Sequence, residues 1–209
     1  PKQLPLTELP EERMQLTLGM YGEGDFFTMK GVIEEITSQL GMDAKLTYDP
    51  ASGKNFLHPG RQANVLYQDK VIGYLGEVHP KVCANYGMKE RAYIAVVDMP
   101  AVMEFVSFDK KYEGIAKFPA ATRDISMVVP KEILVGQIEE VFETKGGNYL
   151  ESYELFDIYE GNQILKGHKS VAYSLTFRAK DKNLEEEDIT TAMNRILKAL
   201  EAMGIQLRK

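Results

Sequence analysis

Cysteine, histidine and tryptophan are scarce in this sequence, and their scarcity excludes several kinds of functional site. The 209 residues include one cysteine, three histidines and no tryptophan. Cys83 has no partner for an internal disulfide and no cluster of histidines beside it, so neither a disulfide framework nor a metal site is expected. The same isolation argues against a cysteine nucleophile. We interpret Cys83 as a buried or half-buried structural thiol.

Long apolar runs and targeting signals are also missing. No stretch approaches the roughly 18 consecutive apolar residues that a membrane span requires, and no basic segment followed by an apolar one opens the chain. These features predict a cytoplasmic protein without a membrane partner. The chain begins at Pro1 and lacks an initiator methionine, which suggests that it is a piece of a longer protein.

An excess of positive charge, typical of proteins that bind nucleic acid, is absent as well. The net charge is −6 at pH 7, whereas neutralisation of phosphates normally requires clustered lysine and arginine. The distribution of charge matters more than its sum, because acidic residues gathered on one face can leave another face neutral or positive. The composition therefore argues against a simple basic nucleic-acid binder but leaves a local binding surface open.

The first half of the chain contains several strand patterns and a few helical ones. Residues 15–20 predict a strand, and apolar residues at three- and four-residue spacing predict a helix capped by Asp25 and ended by Gly41. Further strands are predicted at 44–48, 62–67, 71–78 and 92–97, with a hairpin turn at Asp69-Lys70 and short helices at 81–88 and from Pro100. The pattern predicts an α+β fold with mostly antiparallel pairing.

A stretch without periodicity, residues 108–121, separates this half from the next. We place the domain boundary there, with residues 1–110 in the first domain and 111–209 in the second. The second half predicts a strand at 125–129, a helix ending at Gly146-Gly147, strands at 152–159 and 170–178, a helix with an acidic start ending at Gly204, and a strand at 205–208. The order βαββαβ is that of the ferredoxin-like fold, with both helices on one side of a four-stranded sheet.

Alternation along these strands predicts which side chains face away from the helices. The predicted outward side chains are Asp124, Ser126 and Val128 on the first strand, Tyr153, Asp157 and Tyr159 on the second, and Ser170, Ala172, Ser174, Thr176 and Arg178 on the third. The predicted inward side chains are Ile125, Met127, Val129, Phe156, Ile158, Val171, Tyr173, Leu175 and Phe177. Hydroxyls and tyrosines on an open sheet face are typical of RNA-binding modules, and Lys166, Lys169, Arg178, Lys180 and Lys182 would lie near one rim. A face that packs on another domain or subunit would show the same pattern, so alternation leaves both functions open.

Two histidines allow an enzymatic interpretation. His58 and His79, together with Glu77, could form a metal or acid-base site. Each histidine precedes a proline in a turn, where histidine commonly caps the backbone or packs, and we favour that structural role. No glycine-rich loop joins a strand to a helix as a nucleotide site would require. We therefore predict no catalytic residue and no metal ligand in this chain.

Several motifs resemble those of the β subunit of bacterial phenylalanyl-tRNA synthetase. GDFFTMKG at 24–31, HPGR at 58–61 and IGYLGEVHP at 72–80 are similar to its catalytic-like module. FP at 118–119, RDIS at 123–126, LFDIY at 155–159 and GHKS at 167–170 resemble its ferredoxin-fold anticodon-binding domain. The resemblance covers nearly the whole chain and keeps the motifs in family order.

The resemblance implies an antiparallel module of class II synthetase architecture that has lost its catalytic function, followed by the ferredoxin-like domain. It implies an α2β2 ligase that uses ATP and Mg2+ to join phenylalanine to tRNA(Phe), with the aminoacylation site in the α subunit, the editing domain nearer the N-terminus of β, and no cofactor in this chain. The implied partners are the α subunit and tRNA(Phe), not DNA.

The family's tRNA-facing positions match Ser126, Tyr159 and Ser170. The resemblance implies that Tyr159 stacks on an anticodon base and that the two serines form hydrogen bonds to that nucleotide. Lys169 and Arg178 are the further candidate contacts to tRNA.

Overall fold

The chain separates into two compact units, residues 1–112 and 113–209, each with its own antiparallel sheet and apolar core. The computed structural model describes residues 12–42, 44–109, 114–161 and 163–208. The predicted boundary between residues 110 and 111 lies outside the described residues. The α+β class predicted from the sequence is confirmed. No helix in the described part of the chain is both long enough and apolar enough to span a membrane.

Unit 1 is a five-stranded sheet with three helices. Its elements are β1 (Gln15–Tyr21), α1 (Phe26–Gln39), β2 (Thr47–Asp49), β3 (Leu57–Tyr67), β4 (Lys70–Val78), α2 (Pro80–Asn85), β5 (Ala92–Asp98) and α3 (Met99–Met103). The strand order is β1-β5-β4-β3-β2, and every neighbouring pair is antiparallel. The β3–β4 hairpin turns at Gln68 and Asp69, both with positive φ, one residue earlier than predicted.

Local chemistry explains where α1 begins and ends. The Asp25 carboxylate accepts a hydrogen bond from the Thr28 backbone N–H at 2.8 Å, and the Thr28 hydroxyl oxygen accepts one from the Asp25 N–H at 3.2 Å. This capping box satisfies backbone donors that a helix start otherwise leaves unpaired. At the other end Gly41 has φ +71°, and a Cβ there would lie 1.7 Å from the Ser107 carbonyl oxygen. Only glycine fits that position.

Unit 2 has the predicted βαββαβ order. Its elements are β6 (Ala121–Pro130), α4 (Val135–Lys145), β7 (Leu150–Tyr159), β8 (His168–Phe177), α5 (Glu186–Ala202) and β9 (Gln206–Leu207). The strand order is β7-β8-β6-β9, entirely antiparallel, which is the ferredoxin-like arrangement. Three acidic residues occupy the first turn of α5, where the helix dipole favours negative charge.

The two central strands follow the predicted alternation. The inward residues of β6 and β8 are fully or almost fully buried against α4 and α5: Ile125, Met127, Val129, Val171, Tyr173, Leu175 and Phe177. Because β6 and β8 have a neighbouring strand on each side and helices on one face, every second side chain enters the core. The predicted inward residues of these two strands are confirmed.

The edge strand β7 departs from strict alternation at Phe156. Leu155 pairs with Tyr173 and Asp157 pairs with Ala172, which leaves Phe156 as an extra residue without a partner on β8. Such a β-bulge exchanges the two faces for every residue on one side of it. If period-two alternation is counted across the bulge, the residues of β7 on one side of Phe156 are assigned to the wrong face of the sheet.

The bulge corrects two predictions. Tyr153, predicted on the open face, packs in the core, with its ring centroid 5.5 Å from that of Phe142. Phe156, predicted inward, is 56% exposed. Beyond the bulge the predictions agree with the pairing, because Ile158 pairs with inward Val171, although Ile158 remains 46% exposed on this edge strand.

Candidate functional site

The sheet of unit 2 has one side covered by α4 and α5 and another side that we call the open face. Strand pairing arranges the outward residues of the open face in rows across the sheet. One row consists of Tyr159, Ser170, Val128 and Gln206, and the next consists of Asp157, Ala172 and Ser126, with Arg208 at its end. Further along lie Glu154, Ser174 and Asp124.

Ser126, Tyr159 and Ser170 come together at one end of this face. Tyr159 is the direct partner of Ser170, and Ser170 is the partner of Val128, two residues along β6 from Ser126. Directly paired residues in antiparallel strands have Cα atoms about 4.5–5.5 Å apart. Tyr159 is 40% exposed, Ser126 is half-buried, and Ser170 is only 2% exposed. The cluster therefore presents one large accessible ring beside two hydroxyls, one of them covered.

The Tyr159 ring lies across the backbone of Gly161. A Cβ added to Gly161 would lie 2.0 Å from the Tyr159 Oη and 2.3 Å from its Cζ. The turn that follows Tyr159 is tied to the neighbouring loop, because Glu160 forms an ion pair with Lys131. The hydrogen bond from Lys131 lowers the pKa of the exposed Glu160 carboxyl. The absence of a side chain at Gly161 thus leaves the space that the tyrosine ring occupies.

Lys169 lies at the same end of the sheet but on the opposite side from Ser170, because adjacent residues in a strand alternate. Its Nζ donates a hydrogen bond to the Ile133 carbonyl at 2.8 Å, and burial lowers the pKa of its amine. Contact with the open-face cluster would require the amine to leave this site.

Arg178 lies at the far end of the open face. It follows Ser170 by eight residues, a distance of roughly 26 Å along an extended strand. Its Nε donates a hydrogen bond to Glu151 at 3.0 Å, and its Nη1 donates to the Phe118 carbonyl at 3.2 Å. The structure thus separates Arg178 from the serine and tyrosine cluster with which the sequence analysis grouped it.

Arg208 belongs to the cluster, although the sequence analysis did not propose it. Its backbone N–H donates to the Ser126 carbonyl at 2.8 Å, and its Nη1 donates to the Ser170 hydroxyl oxygen at 3.4 Å. Alternation from the buried Ile205 would have placed residues 206 and 208 on one side. This alternation covers only residues 205–208, and it does not show that β9 pairs with β6.

The histidines of unit 1 act as backbone caps, one of the two structural roles left open by their position before a proline. His58 Nδ1 accepts a hydrogen bond from the Gly60 N–H, and His79 Nδ1 accepts one from the Lys81 N–H at the start of α2, both at 3.1 Å. The buried Glu77 carboxylate pairs with Arg61 at 2.8 Å. Within the described ranges, no group of three histidine, cysteine, aspartate or glutamate residues is arranged to hold a metal ion.

Cys83 is buried and carries a free thiol, which confirms the predicted burial. Its Sγ lies 3.9 Å from the Val78 carbonyl oxygen, as a weak donor would.

Comparison with known protein families divides the chain as the two sheets do. Residues 2–99 match the model described as phenylalanyl tRNA synthetase beta chain CLM domain, and residues 116–208 match the ferredoxin-fold anticodon binding domain. Among curated proteins, the chain is 45% identical to a phenylalanine-tRNA ligase beta subunit of Clostridium acetobutylicum over 202 residues, 96% of this chain and 25% of the relative.

Two further relatives carry the same name. The chain is 39% identical to the protein of Clostridium tetani over 96% of its length and 37% identical to that of Bacillus subtilis over 90%, covering 25% and 23% of those proteins. The chain therefore spans about a quarter of the length of the curated relatives that it matches.

Proposed function

This chain belongs to the family of phenylalanine-tRNA ligase beta subunits, and we propose that the open face of unit 2 binds the anticodon region of tRNA(Phe). The observation that carries the proposal is the exposed Tyr159 ring, which lies against Gly161 and beside Ser170, with Ser126 on the same face one strand further across the sheet. An exposed aromatic ring on a sheet face is a platform on which an unpaired base can stack.

Each member of the cluster has a defined task in this proposal. Tyr159 stacks on an anticodon base, and the half-buried Ser126 hydroxyl forms a hydrogen bond to the same nucleotide. The Ser170 hydroxyl is covered and already accepts a hydrogen bond from Arg208. Ser170 reaches the nucleotide only if the Arg208 side chain moves, so its first role is to hold that side chain.

For the whole protein, the family supports a role in joining phenylalanine to tRNA(Phe) in the cytoplasm with ATP and Mg2+, in an α2β2 assembly whose aminoacylation site is in α. The described residues of this chain offer no cluster of metal ligands, so the proposal assigns Mg2+ and ATP to no residue among them. Unit 1, the catalytic-like module, would then contribute to assembly with the α subunit.

The test is tRNA(Phe) binding by the complete synthetase carrying Tyr159→Ala in its full-length β subunit. Loss of one stacked base should cost about 1–3 kcal/mol, or roughly 5- to 150-fold in Kd. Tyr86→Ala is the matched control, because Tyr86 in unit 1 is 80% exposed. Equal Kd values for the two variants would contradict the proposal.

The alternative function, a face that contacts only protein, has one observation in its favour. Large apolar side chains are exposed at the β7 edge and in the following loop, namely Phe156, Ile158 and Leu165. If Tyr159→Ala disrupts assembly of the subunits, measured by size-exclusion chromatography, and leaves the tRNA Kd of the remaining intact complex unchanged, the protein-contact function is correct.

A further inference from the structure

Strand β9 places the side chain of Arg208 on the open face. Met127 pairs with Leu207 and Val128 pairs with Gln206, and the next pairing position brings the Arg208 N–H to the Ser126 carbonyl. Leu207 is the partner of the inward Met127, so Arg208, one residue further, points to the other side. The last few residues of unit 2 thus add a cation to the sheet surface.

The guanidinium lies inward over the sheet instead of extending away from it. From β9, at the edge, it crosses β6 and reaches the hydroxyl of Ser170 on β8, the third strand. Tyr159 is the partner of the same serine from the β7 side. Tyr159 and the Arg208 guanidinium therefore flank Ser170 from opposite sides.

Among the described residues, Arg208 lies on the open face without the carboxylate partner that four other cations of unit 2 have. Ion pairs with carboxylates engage Arg123, Lys131, Arg178 and Lys182, and Lys169 donates to a backbone carbonyl. In the parts of the chain that the structure describes, no carboxylate forms an ion pair with Arg208. A guanidinium has five N–H donors in a planar fork, so the one hydrogen bond to Ser170 leaves donors for an anion.

We infer that Arg208 binds a backbone phosphate of the nucleotide whose base stacks on Tyr159. This inference rests on the proposed function. A guanidinium beside an aromatic platform matches the two ends of a nucleotide, because it binds phosphate oxygens in a bidentate fashion while the ring contacts the base. The phosphate would be the anionic partner that Arg208 does not have among the described side chains.

The experiment measures the Kd of tRNA(Phe) for the complete synthetase as a function of salt. One lost phosphate contact lowers the slope of log K against log salt by about 0.7, which changes the ratio of Kd values by roughly two- to threefold between about 50 and 200 mM salt. We expect this for Arg208→Gln, and we expect Arg208→Lys to keep the slope. Arg195→Gln makes the same charge change on α5, on the covered side, and should keep the wild-type slope.

Three outcomes separate the possibilities. If Arg208→Gln weakens binding equally at all salt concentrations, Arg208 acts only through Ser170 and the inference is wrong. If Arg195→Gln lowers the slope as much as Arg208→Gln does, the effect is one of total charge, and the inference is equally wrong. If Tyr159→Ala binds as the wild type does, the proposed function itself fails. A reduced slope in Arg208→Gln alone, together with weaker binding by Tyr159→Ala, supports both.

Discussion

Gly161→Ala should weaken tRNA binding by displacing Tyr159 without disturbing the fold. The added Cβ would lie 2.0, 2.3 and 2.8 Å from the Oη, Cζ and Cε1 atoms of Tyr159. Real Cβ atoms do not approach other atoms so closely, and the side chain is the part that can move. The ring must therefore leave the position in which it is offered to a base.

The size of the effect has a structural upper limit. If the displaced ring no longer stacks, Gly161→Ala loses as much affinity as Tyr159→Ala does, about 1–3 kcal/mol or roughly 5- to 150-fold in Kd. The backbone should not be strained, because Gly161 is not among the positive-φ glycines. The free energy of unfolding should therefore fall by no more than the contacts that the displaced, partly exposed Tyr159 ring loses.

A double-mutant cycle in the complete synthetase tests whether Gly161 acts through Tyr159. Gly161→Ala, Tyr159→Ala and the double variant are compared by their Kd for tRNA(Phe) and by Tm. The double variant should bind as weakly as Tyr159→Ala alone, because alanine at 161 then has no ring to displace. Gly136→Ala on α4, where a Cβ meets no atom within 4 Å, is the matched control and should leave Kd unchanged. Additive losses in the double variant, or an unchanged Kd for Gly161→Ala, would refute this reasoning.

Five further substitutions, in three comparisons, test the packing and the buried ion pair. Phe142→Ala, at a fully buried ring, should lower the free energy of unfolding by about 3–5 kcal/mol. Phe156→Ala, at a ring 56% exposed, should lower it by only about 1 kcal/mol. If urea unfolding gives similar values for the two variants, the bulge is not at Phe156. Tyr153→Ala should lower Tm but preserve the Kd for tRNA(Phe), and a weaker Kd at unchanged Tm would put this ring on the open face after all. Arg61→Ala should lower stability more than Glu77→Gln, because it leaves a buried carboxylate without its cation; the reverse order in thermal unfolding would show that the pair is not what keeps Glu77 buried.

The sequence by itself determined the class of fold and the order of elements in unit 2. On β6 and β8, period-two alternation identified the core side chains correctly, because both strands have neighbours on each side and helices over one face. The capping role of Asp25 was also readable, and capping by the two histidines was one of the roles expected, since these effects involve residues within three positions of one another. Patterns of this kind are local, and the neighbouring residues carry all the information.

The tertiary structure decided which cation accompanies Ser126, Tyr159 and Ser170 on the open face and where β7 exchanges its faces. The bulge at Phe156 lies on an edge strand, where exposed aromatic residues are tolerated, so the sequence pattern of β7 does not reveal which residue is extra. Lys169 and Ser170 are adjacent in sequence yet lie on opposite sides of the sheet, while Arg178, the residue after β8 ends, is too distant to join them. Arg208 reaches Ser170 from 38 residues away in the chain, because β9 pairs with β6. Pairing between distant strands depends on how the whole sheet assembles, and no short stretch of sequence specifies it.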